Sequence, residues 1–223
     1  MNEIPEVSLG YDTNRYGYRC GEFSDRSRLN VLFLGDGWTE GLGVADDEIY
    51  PEIACRIAGQ RLGVDVTNWN LGHRIKGYDY LARIIMSAVP VLKPELVFIS
   101  LPSPRRREFF GLDGQMVDFG PERLQALEEA PETLSSIEKD LLGHWRVLES
   151  DYDDLSWAIL NHKLCEEVLN GAGISWGYAC NGEPDAVTPA SRLMSDGWMD
   201  PMRKLKTDFG LSDEAAGHPG MPG

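Results

Sequence analysis

Apolar positions along this chain follow two periods, and the switches between them mark its elements. Val31 to Leu34 is a short continuous apolar run, so Asn30–Leu34 is predicted to be a buried strand. Residues 50–62 change period. Ile53, Ala54, Ile57, Ala58 and Leu62 fall on one helical face, with Pro51 in the first turn. Val64–Asn70 predicts a second strand. Tyr78–Leu92 predicts a second helix, with Leu81, Ile84, Ile85, Ala88 and Val89 on its apolar face and Pro94 just past its end. Leu96–Leu101 is again continuously apolar, a third buried strand. Asp151–Asn170 carries a long stripe of Leu155, Ala158, Ile159, His162, Cys165, Val168 and Leu169. Gly171 and Gly173 stop that helix, and Ile174–Ala179 predicts a fourth strand.

Strands that alternate with helices through short connections imply an α/β fold: a three-layer α/β/α sandwich around a parallel sheet. Such sheets bind ligands beyond the carboxyl ends of their strands. Those ends are Gly35–Gly37, Asn70–Gly77, Pro102–Pro104 and Asn181. The first 29 residues are polar and aromatic and predict an extension laid over the domain, with room for a short edge strand. Residues 105–150 lose the alternation. They predict an insertion or lid with one helix over Leu134–Leu142. After residue 180 come a loop with Pro184 and Pro189, a helix near Pro201–Phe209, and the segment Asp213–Gly220.

Composition narrows the partners. The formal charge of −15 supplies no basic stripe to release counterions, so neither nucleic acid nor an anionic membrane is expected as a partner. Arg105-Arg106-Arg107 is a short run and reads first as a solvated face. One of these arginines clamping a carboxylate or phosphate is the sharper reading, against a surface ion pair with Glu108. No apolar run approaches the roughly 20 residues that span a bilayer. The acidic start, Met1-Asn-Glu-Ile-Pro-Glu, shows no secretory signal, so a cytoplasmic location is expected. Cys20, Cys55, Cys165 and Cys180 contain no CxxC pair, so reduced thiols are expected and no metal or cofactor is.

The segment Val31-Leu-Phe-Leu-Gly-Asp-Gly-Trp-Thr-Glu-Gly41 resembles the first signature block of the SGNH (GDSL-type) hydrolases, whose first strand ends in Gly-Asp-Ser. Here Asp36 matches, and Gly37 stands where the family carries its nucleophile. Asn70-Leu-Gly-His-Arg-Ile-Lys-Gly77 resembles the second block, with Gly77 favoured over Gly72 as the oxyanion-hole glycine. The third block, Gly-x-Asn-Asp, is replaced by Leu101-Pro-Ser-Pro-Arg105, which puts Ser103 or Pro104 at the Asn. Ser103 retains a hydroxyl donor, whereas Pro104 has no N–H. The last block keeps His218-Pro219-Gly220, but Ala215 occupies the position of the family's Asp. Asp213 and Glu214 lie five and four residues before His218. The family also places a helix after His-Pro-Gly, while this sequence stops at Gly223.

The resemblance therefore implies a hydrolase fold whose serine triad is broken in three places. Losing the serine alone costs about 10⁶ in kcat in a well-studied serine protease. The backbone N–H groups of Gly37 and Gly77 persist, so the oxyanion hole is expected to survive as an anion or carbonyl site. The expected function is non-hydrolytic binding of a small acyl, glycosyl or carboxylate ligand, or of a protein partner. Gly37, Gly77, Ser103, Asp36 and Arg105 are the candidate binding residues. The alternative is an active esterase or acyl-transfer enzyme, with His218 as base and Asp213 or Glu214 as its orienter. Water, Thr39 or Ser103 would then attack, or Glu40 would help His218 activate water. His162, on an apolar stripe, reads as a core residue. His73 sits at a strand end with access to the site.

Overall fold

A computed structural model describes residues 11–110, 114, 116–148 and 150–180; four further side chains, those of residues 151, 152, 155 and 180, are not described. Among the described residues, β1 (Leu29–Leu34), β2 (Val66–Asn70), β3 (Leu96–Leu101) and β6 (Ser175–Cys180) form one parallel sheet. Their order across it is β2-β1-β3-β6. Leu32 pairs with Trp69 on one side and Val97 on the other, and Ile99 pairs with Tyr178. β1 is thus covered along both edges. Its side chains alternate between two cores because successive residues face opposite sides of the sheet. Val31 and Phe33 pack with Cys55 of helix α2 (Tyr50–Leu62). Leu32 and Leu34 pack with residues of α3 (Tyr78–Leu92) and α6 (Asp151–Gly171). This is the predicted layering of helix, sheet and helix, and it explains why residues 31–34 read as unbroken apolar sequence.

The main elements end where their local chemistry requires. α2 closes at Gly63 and α3 at Lys93, both left-handed, each returning its N–H to the carbonyl four residues back. The second strand starts at Val66 rather than Val64, because Gly63 and Val64 complete the turn that ends α2, both donating to Gly59 O.

Residues 105–150 depart most from expectation. They hold a hairpin of β4 (Arg107–Phe110) and β5 (Met116–Phe119), then α4 (Pro121–Glu129) and α5 (Ser136–Leu148). The helix expected over 134–142 begins later and runs longer. Phe119, Leu134, Leu142 and Trp145 form a small separate core, closed by Phe109 against Phe119 and Trp145. Among residues 11–28 there is no edge strand. Instead Phe23 packs edge-on against Trp69 at 6.4 Å. The buried Arg19 donates to the carbonyls of Gly41 and Val44 and to Asp46. Another short element, α1 (Gly37–Glu40), follows β1 and leads into the site. No described helix is long and apolar enough to cross a membrane.

His162 is a core residue, ringed by Tyr78, Trp176 and Tyr178. Burial holds its imidazole below the ordinary value of 6.5, with Glu166 opposing and Lys163 assisting. The unfolded chain therefore takes this proton before the folded one does. Stability that is full above pH 6.5 should fall as pH drops below it. Thermal melts between pH 7.5 and 5.5 check this. His162→Phe should flatten the slope in that window, and an unchanged slope would assign the pH dependence to other groups.

Candidate functional site

The site begins where β1 stops. Gly35 crosses β3 so closely that a Cβ there would lie 2.1 Å from Thr39 Oγ1 and 2.8 Å from Ser100 Cβ, so only glycine fits. Asp36 is buried and caps α1, accepting the Trp38 N–H on Oδ1 at 3.1 Å. Its other oxygen, Oδ2, accepts from Arg106 Nη1 at 2.7 Å. Gly37 is the first residue of α1. A side chain on it would point toward the end of Leu42, whose Cδ1 is 2.9 Å from the Cβ position, with Arg74 Cα at 3.8 Å. Leu42 is exposed and free to turn away.

The loop after β2 is tied to this turn. Asn70 is fully buried, donates to Thr39 O at 2.7 Å and accepts from Gly72 N at 2.9 Å. His73 donates its backbone N–H to Gly35 O at 3.0 Å, and its half-buried ring meets Arg74 O through Nδ1 at 3.2 Å. Glu40 accepts the Arg74 N–H at 2.6 Å; His218, its expected partner, lies outside the described residues. Gly77 precedes α3 in extended conformation. A Cβ on it would lie 2.0 Å from the carbonyl oxygen of Arg106, so this glycine is required by backbone contact with the loop after β3.

That loop separates the three arginines. Arg105, the expected site arginine, is roughly half exposed, with its Nε 4.0 Å from Asp154 Oδ2. Arg106 is the one that meets Asp36, and it bridges onward to Glu122 of α4. Arg107 points the other way, into Asp153 and Asp154 at 2.9 and 3.0 Å, between the rings of Trp145 and Trp157. The reading of this run as a solvated face thus fails at Arg106 and Arg107. The chain reverses through Pro102–Arg106, and carboxylates from three different elements wait on its two sides. Glu108, proposed as the arginines' surface partner, is buried and belongs to Lys76 and Arg83.

Each candidate hydroxyl takes part in an internal hydrogen bond. Thr39 has no exposed surface, and its Oγ1 lies 2.9 Å from Tyr50 OH. Ser100 shares that phenol, which burial pushes up to about 12. Ser103 accepts the N–H of Arg105 on its hydroxyl and the N–H of Arg106 on its carbonyl, stabilising its own turn. Burial pushes the Cys20 thiol up to about 11 and those of Cys55 and Cys165 to about 12, so these three thiols are poor nucleophiles at neutral pH. His218, Asp213 and Glu214 lie outside the described residues.

The structure therefore brings together Asp36, Gly37 and Arg106, with Gly77 packed behind Arg106. It leaves Arg105 at the side and gives Ser103 a turn role. Arg106 was legible only as one of three basic neighbours. Glu122 carried no sequence signal at all, because an exposed-looking glutamate opening a helix is commonplace. A cavity of about 690 Å³ lies elsewhere, among Arg28, Glu52, Arg56 and Asp65, by residues that precede β1 and β2 rather than at the strands' carboxyl ends.

No protein-family model matches this chain, and no curated protein matches it in sequence. Solved structures show partial similarity. A chain assigned to the G-D-S-L family from Desulfitobacterium hafniense DCB-2 is 14% identical, over 82% of this chain and 74% of its own, with TM-score 0.40. A variant of Axe2, an acetyl-xylooligosaccharide esterase from Geobacillus stearothermophilus, is 12% identical over 84% of this chain and 96% of its own, with TM-score 0.37. The psychrotrophic esterase EstA from Pseudoalteromonas sp. is 12% identical over 82% and 99%, with TM-score 0.36.

Proposed function

We propose that this chain is a non-hydrolytic relative of the SGNH hydrolases that binds a small ligand at the carboxyl end of its sheet. The ligand classes are acyl, glycosyl and carboxylate groups. One observation carries the reading: the turn after β1 presents Gly37 without a side chain, and the Thr39 hydroxyl beside it is wholly buried against Tyr50. An acyl-transfer site needs a nucleophile within hydrogen-bond reach of a base. Arg106, beside Asp36, supplies what binding needs instead, a partly buried cation at the same turn. Gly37 and Gly77 retain their backbone donors, and in this reading those donors orient a ligand carbonyl rather than stabilise an oxyanion.

The test restores the missing group. Gly37→Ser crowds the exposed tip of Leu42 and lies at ordinary contact distance from Arg74 Cα, so the fold should accept it. The parent chain should neither hydrolyse p-nitrophenyl acetate or butyrate nor react with a fluorophosphonate. Gly37→Ser should gain slow turnover, and adding His218→Ala should remove it. Turnover by the parent that His218→Ala abolishes would overturn the proposal and establish the alternative, an esterase or acyl-transfer enzyme with a rearranged site.

A further inference from the structure

Arg106 meets a different carboxylate on each edge, Asp36 on one and Glu122 on the other. Its backbone is fixed, with its carbonyl against Gly77 and its N–H donating to Ser103 O at 3.2 Å. Nη1 meets Asp36 Oδ2 at 2.7 Å, and both side chains are mostly buried, at 16% and 9% exposure. The opposite edge, Nε and Nη2, turns to Glu122. Both nitrogens donate to the same oxygen, Oε1, with Nε at 3.2 Å. A free carboxylate binds such an edge through two oxygens in two parallel bonds. Glu122 does not. Its second oxygen faces Gly120, where a Cβ would lie 2.9 Å from it. Glu122 is also the second residue of α4 and is nearly half exposed, so its geometry is set by the helix and its hold on Arg106 is screened by water.

We propose that Glu122 is an intramolecular stand-in for a small carboxylate ligand, which displaces it from the Nε/Nη2 edge of Arg106 while Asp36 keeps Nη1. This rests on the binding reading above, and it adds the ligand class and the group that competes for the site. Charge favours a monoanion. Exchanging one carboxylate for another leaves the local charge unchanged, whereas a phosphate dianion would bring an extra negative charge beside Asp36 in a chain already at −15. Displacement also couples the site to the insertion. Gly120 opens α4, with Arg123 and Leu124 N–H donating to its carbonyl at 3.0 and 3.1 Å, so releasing Glu122 loosens that first turn.

The experiment titrates butyrate, and separately inorganic phosphate at equal ionic strength, into the full chain. Binding is followed by NMR at the arginine Nε–H signals. Glu122→Gln removes the competing charge and keeps the shape. It should tighten butyrate binding by roughly two- to fivefold, the worth of one exposed ion pair. Arg106→Gln should abolish saturable binding, phosphate should bind more weakly than butyrate, and butyrate should speed amide exchange at Arg123 and Leu124 in the parent. If Glu122→Gln binds butyrate no tighter than the parent while Arg106→Gln loses it, the stand-in role is overturned and the binding reading survives. If neither the parent nor Glu122→Gln saturates, the stand-in role is overturned outright. Ester hydrolysis by the parent that depends on His218 would overturn the function itself, whatever Glu122→Gln does.

Discussion

Lys76→Met should destabilise the protein by about 2–3 kcal/mol, read as a shift of the urea unfolding midpoint, and should expose residues 105–150 to protease. Lys76 is almost wholly buried, and its ammonium is the hub between the insertion and the main domain. Nζ lies 2.7 and 2.9 Å from the two oxygens of Asp118 on β5 and 3.2 Å from Glu108 on β4, with the Tyr80 ring 5.7 Å away. Glu108 is equally buried and takes a two-pronged bond from Arg83 at 2.8 and 3.0 Å. Its backbone N–H donates to Asp79, whose carboxyl burial pushes up. Removing one member of a buried ion pair costs about 3–5 kcal/mol, because the partner remains charged and dry. The expectation here is smaller because Arg83 still neutralises Glu108 and Asp118 is about one-fifth exposed. Adding Asp118→Asn to Lys76→Met should recover part of the loss. A loss below about 0.5 kcal/mol, within the range of ordinary surface changes, would mean the hairpin is held by its apolar contacts alone.

Gly77→Ala should cost about 2 kcal/mol and weaken carboxylate binding together. The new methyl would sit 2.0 Å from the Arg106 carbonyl oxygen and 2.6 Å from its carbon, and both are backbone atoms that do not swing aside. Overpacking of this kind typically costs about 1–3 kcal/mol. Relief by pushing the loop after β3 outward carries Arg106 away from Asp36. Gly143→Ala provides the opposite sign. It lies within α5 with nothing within 4 Å of a Cβ, so alanine should stabilise by about 0.5–1 kcal/mol through helix propensity. Thermal denaturation of the two variants, with butyrate titration of Gly77→Ala, checks both effects. Gly77→Ala with parental stability and affinity would show that the two loops separate freely, contrary to the contact described.

How much of this was readable beforehand depends on how local its cause is. Helices 50–62 and 78–92 and strand 96–101 were legible to the residue, because the period of their apolar positions, a proline in the first turn of one and a proline after the other are all carried in the segments themselves. The hairpin 107–119 was not. Its strands are four residues each, too short to establish a period, and one opens with charges that look solvated. The alternation of Val31 and Phe33 against Leu32 and Leu34 was hidden for the opposite reason, since both faces are apolar.

At the site, the bare backbone at Gly37 was plain from the sequence alone, since no fold restores an absent side chain. Which arginine reaches Asp36 was not, and the choice fell on Arg106 rather than Arg105. Adjacent residues in an extended turn point in different directions, and their partners stand 70 positions away at Asp36 and 16 away at Glu122. Lys76 and Asp118 are likewise 42 positions apart. Apolar burial is a property that each segment announces through its own spacing. A buried ion pair exists only where two distant loops are brought to within about 3 Å, and that distance is decided by the packed chain as a whole.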